Sequence, residues 1–136
     1  MDKKKFSCHK ISEGVAEAEA IISKDDIMFY LIEPETGKII EPAHDIEGKS
    51  MAKKTLIFPS GKGSSVVQAD GLYQLNQRGN APKAMIIQYP ETVLVSSAII
   101  MEIPMVDKVD PEFYEVVKDG DLVRVDADNG IVEILN

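Results

Sequence analysis

Apolar and polar residues alternate with a period of two near the start of the chain. Between residues 15 and 22, Glu17 and Glu19 alternate with three alanines, as in a strand with one buried face. Alanine and glutamate favour a helix by intrinsic propensity, but Gly14 precedes the run and a helical apolar stripe would be poor. We therefore predict a strand over 15–22, and a second, short strand over 6–10.

A dense apolar and aromatic run follows. Residues 27–32 read Ile-Met-Phe-Tyr-Leu-Ile, which predicts a buried strand. Pro34–Gly37 has proline early and glycine at its end, as in a turn, and Ile39-Ile40 resume extended structure. Residues 42–48 are predicted to be a polar connection.

The centre of the chain has the pattern of a strand–loop–helix–strand unit. Thr55–Phe58 is a short, continuous apolar run, typical of a strand buried on both faces. Apolar residues then recur at helical spacing from Val66 to Leu75, and Gly79-Asn80 ends them. The elements predicted after this helix are a strand over 84–88, a helix over 91–101 and a return to the sheet at 104–106. Part of the sheet is therefore predicted to be parallel.

The last segment predicts a β-hairpin. Apolar residues at 122–125 and 131–134 flank Asn129-Gly130, a strong hairpin turn. Asp126–Gly130 also resembles a calcium loop, but its glycine is fifth where that loop needs it sixth, so the hairpin is preferred. The predicted fold class is α/β, a single domain over residues 1–136 with β-rich ends around a central βαβ unit.

Composition and charge exclude several classes of protein. The 136 residues include 15 Lys and Arg against 23 Asp and Glu, a formal charge of −8, which argues against nucleic acid or an anionic membrane surface as partner. No stretch approaches the ~20 apolar residues of a membrane span, and the charged run Met1–Lys5 is not followed by an apolar signal region. Cys8 is the only cysteine, so no intrachain disulfide forms. We expect a cytoplasmic protein.

The charge is unevenly distributed. No acidic residue occurs between Glu47 and Asp70, yet Lys49, Lys53, Lys54 and Lys62 lie there. An acidic protein does not need such a basic stretch for solubility, so the stretch points to an anionic partner. Of the four lysines we assign only Lys62 to a site. The other three could attract the substrate by their charge, lie in a subunit interface or lie on a solvated surface, and the sequence does not decide between these roles.

The strongest candidate site is Ser60–Ser65, at the predicted junction of strand and helix. The first N–H groups of a helix lack internal partners, and the helix dipole favours negative charge there. Gly61 and Gly63 allow close backbone approach, and the hydroxyl and ammonium groups of the loop add donors. Gly63 separates Lys62 from Ser64, so this is not a P-loop, and Val66 replaces the third glycine of a dinucleotide fingerprint. The alternative is a tight turn with a serine cap and no ligand.

Two weaker candidates remain. Cys8-His9 contains two metal-ligand types, but neighbours on a strand face opposite ways and no third ligand is visible. We therefore predict no metal site in this chain. His44-Asp45 has the composition of an acid–base pair, but it lies in a polar loop, where a structural role is favoured.

These residues resemble the small subunits of the archaeal phosphomevalonate dehydratases, in the aconitase X group. The resemblance covers almost the full chain and is sharpest at Pro59–Ser65. Other matching segments are Cys8–Gly14 with the Glu17/Glu19 segment, Pro34–Gly37, His44 with Gly48, Gly79–Pro82 and the closing hairpin Asp119–Asp121.

The resemblance implies a swivelling β/β/α domain, β-barrel-like, and a hydro-lyase that is active only with its large subunit. The reaction implied is dehydration of mevalonate 5-phosphate to anhydromevalonate phosphate in the archaeal mevalonate pathway. The large subunit would complete a heterodimer, carry an iron–sulfur cluster and form most of the substrate pocket. The aconitase swivel motif, Gly-x-Gly-Ser-Ser-Arg, makes Ser64 the catalytic base. Gly61, Lys62, Gly63 and Ser65 would bind the substrate.

The chain departs from the family pattern at two places. Val66 replaces the arginine of the aconitase motif, which leaves a carboxylate clamp at this position unsupported. Leu31-Ile32 stand where a Gly-Gly pair often follows the aromatic strand. Two alternative functions stay open: an aconitase X-type subunit for another hydroxy acid, such as a hydroxyproline, and a non-catalytic anion-binding module.

Overall fold

The fold is an eight-stranded mixed sheet with helices, seen in a computed structural model that describes residues 4–136. Met1–Lys3, which begin the charged run considered above, lie outside the described residues. The strands are β1 (Lys5–Ser7), β2 (His9–Ser12), β3 (Val15–Ile22), β4 (Thr55–Phe58), β5 (Ala84–Ile87), β6 (Met105–Asp107), β7 (Leu122–Asp126) and β8 (Ile131–Ile134). The helices are α1 (Ser65–Gln77), α2 (Thr92–Ile100) and α3 (Glu112–Val116).

Strand β3 joins an antiparallel half of the sheet to a parallel half. The order is β1-β8-β7-β3-β4-β5-β6-β2. Residues Val15–Glu19 of β3 pair antiparallel with β7, and Ala20–Ile22 pair parallel with β4. Strands β4, β5 and β6 continue in parallel. The predicted parallel βαβ unit is thereby confirmed.

The sheet is barrel-like because its two outermost strands are consecutive in the chain. Strands β1 and β2 lie at opposite ends of the strand order, and only Cys8 separates them. β1 pairs with β8, and β2 pairs with β6. The one strand predicted over 6–10 is therefore two strands, broken where the chain passes from one edge of the curled sheet to the other.

The core lies on both faces of the sheet. In β4, Leu56 and Phe58 belong to the cluster beneath α1 and α2, while Ile57 belongs to the cluster that contains Phe6 and Phe113. The alternation follows from the period of two in a strand. It confirms that β4 is buried on both faces, as its continuous apolar sequence predicts.

The strand predicted over 27–32 is wrong. Phe29–Leu31 form a 3₁₀ turn, and only Ile27 and Ile32 make isolated bridges, to Gly61 and Ile39 respectively. The segment packs on α1 instead of joining the sheet. A Cβ on Gly71 of α1 would lie 2.6 Å from the carbonyl carbon and oxygen of Phe29. Helix packing therefore buries this apolar run.

The other predicted elements are confirmed. These are the strand over 15–22, the turn at Pro34–Gly37, the first two helices and the final hairpin. The sequence pattern missed one short helix, α3, which is only five residues long. None of the helices in the described part of the chain is long and apolar enough to cross a membrane.

Candidate functional site

The loop that carries the predicted site leaves the carboxyl end of β4. Because β3 to β6 run parallel at this point, their carboxyl ends lie on one edge of the sheet. Binding sites of parallel α/β sheets form at that edge. The loop then enters α1, with Ser64 as its N-cap residue.

Three hydrogen bonds fix the loop. The Ile27 N–H donates to the Ser60 carbonyl and the Lys62 N–H donates to the Ile27 carbonyl, both at 2.9 Å. The Ser60 hydroxyl donates to the Tyr89 carbonyl at 2.7 Å. One side of the loop is therefore tied to the segment before the 3₁₀ turn, and the other to the loop that follows β5.

The two glycines of the loop are favoured for different reasons. A Cβ on Gly61 would lie 2.5 Å from both Gln68 Oε1 and Leu94 Cδ1, so any larger residue would have to displace the ends of two packed side chains. Gly63 has a φ of +106°, which favours glycine. The chain thus reaches the helix without side chains on its inner surface.

Ser64 does not cap the helix with its side chain. Its backbone is extended, with φ −71° and ψ 154°, but its hydroxyl accepts no hydrogen bond from α1. The turn with a serine cap predicted as the alternative would have made that bond. Ser64 and Ser65 are exposed. The hydroxyl is thus available at the positive end of the helix dipole.

Backbone N–H groups without backbone acceptors occur at Ser64 and at its two neighbours in the chain. Within residues 4–136, the N–H groups of Gly63, Ser64 and Ser65 donate to no backbone carbonyl. The first intrahelical bond from this turn is the one from the Gln68 N–H to the Ser64 carbonyl, at 3.0 Å. Free N–H groups at the start of a helix are suited to an anion, so an anion site in this segment stays a prediction.

Lys62 is not isolated from acids, although its sequence neighbourhood contains none. Its Nζ lies 2.7 Å from Glu41 Oε2, and that hydrogen bond is the largest cause that raises the pKa of Lys62. The charges of Glu41, Asp25 and Asp26 raise the pKa further. Glu41 Oε1, by contrast, is buried and has no partner in the described part of the chain. The stretch between Glu47 and Asp70 contains no acidic residue, but the fold brings acidic residues from elsewhere in the chain close to Lys62.

Lys54 shows the same effect in a weaker form. Its Nζ lies 3.2 Å from Glu19 Oε2, and the side chains of Lys54 and Glu19 are 35% and 63% exposed, respectively. Such a pair contributes little to stability. Lys54 therefore has a surface partner away from the serine loop.

Gln68 belongs to the site but was missed in the sequence. It is only 2% exposed and lies one turn after Ser64 on α1. Its Nε2 donates to Glu91 Oε2 at 3.4 Å, whereas its Oε1 is buried and has no partner among the residues that the structure describes. The sequence signal was available: a polar residue occupies the buried face of the helix, four positions after the candidate serine.

Glu91 fixes the orientation of that amide. Its two carboxylate oxygens accept from the N–H groups of Val93 and Leu94, each at 3.0 Å, and so cap α2. A carboxylate that accepts these bonds presents no proton of its own, so the Gln68 nitrogen faces Glu91. The Gln68 oxygen is left facing Gly61.

Cys8 and His9 have separate environments. Burial is the main cause that raises the pKa of Cys8 to about 11, and the charge of Asp107 adds to it. His9 Nδ1 lies 2.7 Å from Oδ1 of the buried Asp107. Across the described residues, no three or more His, Cys, Asp or Glu side chains are grouped to hold a metal ion.

His44 and Asp45 do not form an acid–base pair. His44 is buried, its Nε2 donates to the Asp26 carbonyl at 2.9 Å, and its Nδ1 accepts from the Ile46 N–H. Asp45 instead accepts from the Lys24 N–H. Both side chains tie the polar loop to the segment after β3, a structural role.

Two further positions have structural roles. Asp126 accepts from the N–H and the side-chain amide of Asn129, which is the hairpin turn that was preferred over a calcium loop. Leu31 ends the 3₁₀ turn, and its N–H donates to Met28. Ile32 is buried and bridges to Ile39.

Comparisons with known proteins find the same family by sequence and by structure. The family model of the aconitase X swivel domain matches residues 5–134. A relative from Methanothrix thermoacetophila, a phosphomevalonate dehydratase small subunit, is 45% identical over 93% of this chain and 92% of its own length. A relative of the same name from Thermococcus kodakarensis is 46% identical over 96% of each chain.

Solved structures match equally well. A crystal structure of Thermococcus kodakaraensis aconitase X in its holo form has a TM-score of 0.89 at 44% identity, over 98% of this chain and 100% of that chain. A solution NMR structure of a UPF0107 protein has a TM-score of 0.86 at 44% identity, over 97% and 99%.

Proposed function

The chain belongs to the aconitase X swivel-domain family, and on that basis we propose that it is the small subunit of a phosphomevalonate dehydratase. It is a hydro-lyase subunit of the mevalonate pathway that acts with a large subunit, and it forms a single swivel domain over residues 1–136. The observation that carries the proposal at the site is the Ser64 hydroxyl, which makes no capping bond at the start of α1.

The substrate chemistry suits an anion site of this kind. Mevalonate 5-phosphate carries a carboxylate, a tertiary hydroxyl and a phosphate. Dehydration removes a proton from the carbon next to the carboxylate and expels the hydroxyl, so that a carbon–carbon double bond and one water molecule form. The negative charge that develops near the carboxylate is stabilised by fixed N–H donors.

Ser64 is the proposed base. A serine hydroxyl is a weak base at its ordinary pKa and acts only when its alkoxide is stabilised. The N–H groups of Gly63, Ser64 and Ser65, which make no backbone bond within residues 4–136, lie at the positive end of α1 and supply that stabilisation. Ser64 then takes the proton from the substrate carbon.

The other loop residues bind the substrate. Gly61 and Gly63 keep the backbone close to it, and the Ser65 hydroxyl adds a donor. The Lys62 ammonium adds a positive charge, but it is already paired with Glu41 at 2.7 Å. An anionic substrate group must therefore share Lys62 with Glu41 or displace it.

The residues of this chain do not fit an iron–sulfur cluster. Such clusters need about three or four thiolates, and this chain has one cysteine. That cysteine is half-buried, and its pKa of about 11 keeps it a neutral thiol at physiological pH. We assign the cluster that the family resemblance implies to the large subunit.

The large subunit also completes the pocket. Ser64, Ser65 and Val66 are exposed, Val66 to 79%, so the loop lies on the surface of this chain. A dehydratase pocket encloses most of its substrate. Exposed Tyr30, Tyr73 and Tyr89 give this chain aromatic surface for an interface. We place the heterodimer in the cytoplasm.

The proposal is tested by anaerobic co-expression with the candidate large subunit, followed by an assay with mevalonate 5-phosphate. We expect the two chains to co-purify and to release one water per substrate, whereas neither chain alone is active. A matched assay with hydroxyproline-type acids identifies the alternative substrate class. Binding of phosphorylated acids by the isolated chain, with no activity in the complex, would instead favour an anion-binding module.

A further inference from the structure

Among residues 4–136, Gln68 is the one residue near the loop whose polar side chain is almost fully buried and has one of its two polar atoms unpaired. It is 2% exposed, and its Oε1 has no hydrogen-bond partner within residues 4–136. A buried acceptor without a donor costs free energy. A packing role alone does not explain it, because an apolar side chain of the same length would fill the space without that cost.

The contacts of Gln68 direct its free oxygen at the catalytic loop. Side chains on a helix point toward its N-terminus, so Gln68 lies beneath the loop. An ideal Cβ on Gly61 would lie 2.5 Å from Oε1, and one on Gly63 would lie 3.9 Å from Cγ. Residues 61–63 therefore pack against the Gln68 side chain.

Glu91, the N-cap residue of α2, holds the Gln68 side chain in place. The Gln68 nitrogen donates to Glu91, and Glu91 caps α2 through two bonds of 3.0 Å. The start of α2 thus fixes which end of the amide faces the loop. On the loop side of Oε1, the N–H groups of Gly63, Ser64 and Ser65 donate to no backbone carbonyl within residues 4–136, so they are the available donors.

We propose that Gln68 is a positioning residue, whose oxygen takes an N–H or O–H donor of the loop and thereby holds Ser64 in the orientation that removes the substrate proton. The inference rests on the proposed function, since it acts through Ser64. It adds a residue outside the glycine–serine motif. It also links the reaction to α2 through Glu91.

The main test replaces Gln68 with methionine, which has almost the same shape and no polar end, in the co-purified complex. We expect Q68M to assemble and to keep or raise its Tm, because it removes an unpaired buried acceptor and loses only the 3.4 Å hydrogen bond to Glu91. We expect kcat to fall about tenfold or more while KM changes little, since misplacement of a reacting group costs up to about a hundredfold. Amide exchange over residues 61–65 should become faster.

The matched control is Q77M, because Gln77 lies on the same helix and is exposed. It should leave kcat, KM, Tm and amide exchange unchanged. Q68M with wild-type kcat, or Q68M and Q77M with equal losses, would overturn the inference. If S64A is fully active, the proposed function itself fails. If S64A is inactive and Q68M is fully active, only the role of Gln68 fails.

A second variant covers the case in which Q68M does not fold. Q68E keeps an oxygen toward the loop, but as a carboxylate it does not donate to Glu91. One proton shared by the two carboxyls restores that bond at low pH. We therefore expect the activity of Q68E relative to the wild type to rise as the pH falls. A ratio that is independent of pH would contradict the positioning role.

Discussion

Lys62 and Glu41 form an ion pair with a distance of 2.7 Å between Nζ and Oε2, at the edge of the loop that carries Ser64. The Glu41 side chain is the more buried of the two, at 18% exposed against 38% for Lys62. The other carboxylate oxygen of Glu41 has no hydrogen-bond partner within residues 4–136. The ammonium proposed to meet the substrate is thus already occupied in the free subunit.

The first prediction concerns this pair. E41Q should lower the pKa of Lys62 toward its ordinary value, because the hydrogen bond to Glu41 is the largest cause of its rise. An anionic substrate then no longer competes with a carboxylate, and KM should fall about two- to fivefold, the range of a partly exposed ion pair. NMR titration of the Lys62 side chain and steady-state kinetics of the complex check both effects.

The matched control is E19Q, which removes the exposed partner of Lys54. It should leave KM unchanged. A higher KM for E41Q would show that Glu41 aids substrate binding by orienting Lys62. The competition between Glu41 and the substrate would then be refuted.

The sequence predicts the serine loop well because that part of the structure is local. β4, the glycines and α1 follow one another within residues 55–77, and each has a characteristic pattern of its own. The surroundings of the loop are not local. Glu41 lies 21 positions before Lys62, and Glu91 lies 23 positions after Gln68. No periodicity in the chain indicates those pairings.

The fold likewise has parts that local patterns predict and parts that depend on distant segments. The hairpin and the βαβ unit are set by short-range patterns, whereas closure of the sheet depends on β1 and β2 pairing with distant strands. Residues 27–32 have the composition of a strand, but Gly71 lets their backbone approach α1 closely. Apolar composition shows that a segment is buried and leaves open what buries it.

The second prediction concerns the base. S64A should leave assembly with the large subunit intact, because the hydroxyl makes no capping bond. The rate of dehydration should fall about 10²- to 10⁴-fold, the range for loss of a general base. S96A, at an exposed position of α2, is the control and should be fully active. Normal turnover by a co-purified S64A complex would refute the assignment.

The third prediction concerns the pH dependence of Cys8. Burial first, and then the charges of Asp107 and Asp126, raise the pKa of this thiol from 9.0 to about 11. Between these values the unfolded chain has lost the proton and the folded chain retains it, so stability falls as the pH rises from 9 to 11. Below pH 9 the group contributes no such dependence.

Thiol alkylation measures this directly, because Cys8 is the only cysteine. The rate at pH 8 should be far below that of a free thiol, and its pH midpoint should lie near 11. D107N removes one of the charges and should lower the midpoint, whereas D119N should not. Rapid alkylation of the wild type at pH 8 would contradict the raised pKa of the Cys8 thiol.

The fourth prediction reverses the usual effect of a helical glycine. Replacing glycine with alanine inside a helix normally stabilises it by about 1 kcal/mol. In α1, however, a Cβ on Gly71 would lie 2.6 Å from the backbone of Phe29 and 2.8 Å from the Tyr30 nitrogen. G71A should therefore lower the free energy of unfolding by about 1–3 kcal/mol, the range for overpacking.

G61A, which would press on two side-chain ends, should lower the free energy of unfolding by less, because side chains move more easily than backbone. Urea unfolding of the isolated chain measures both variants, with Q77A at an exposed position of the same helix as the control. A stabilised G71A would mean that the 3₁₀ turn moves freely on α1 and does not hold Ile27 against the loop.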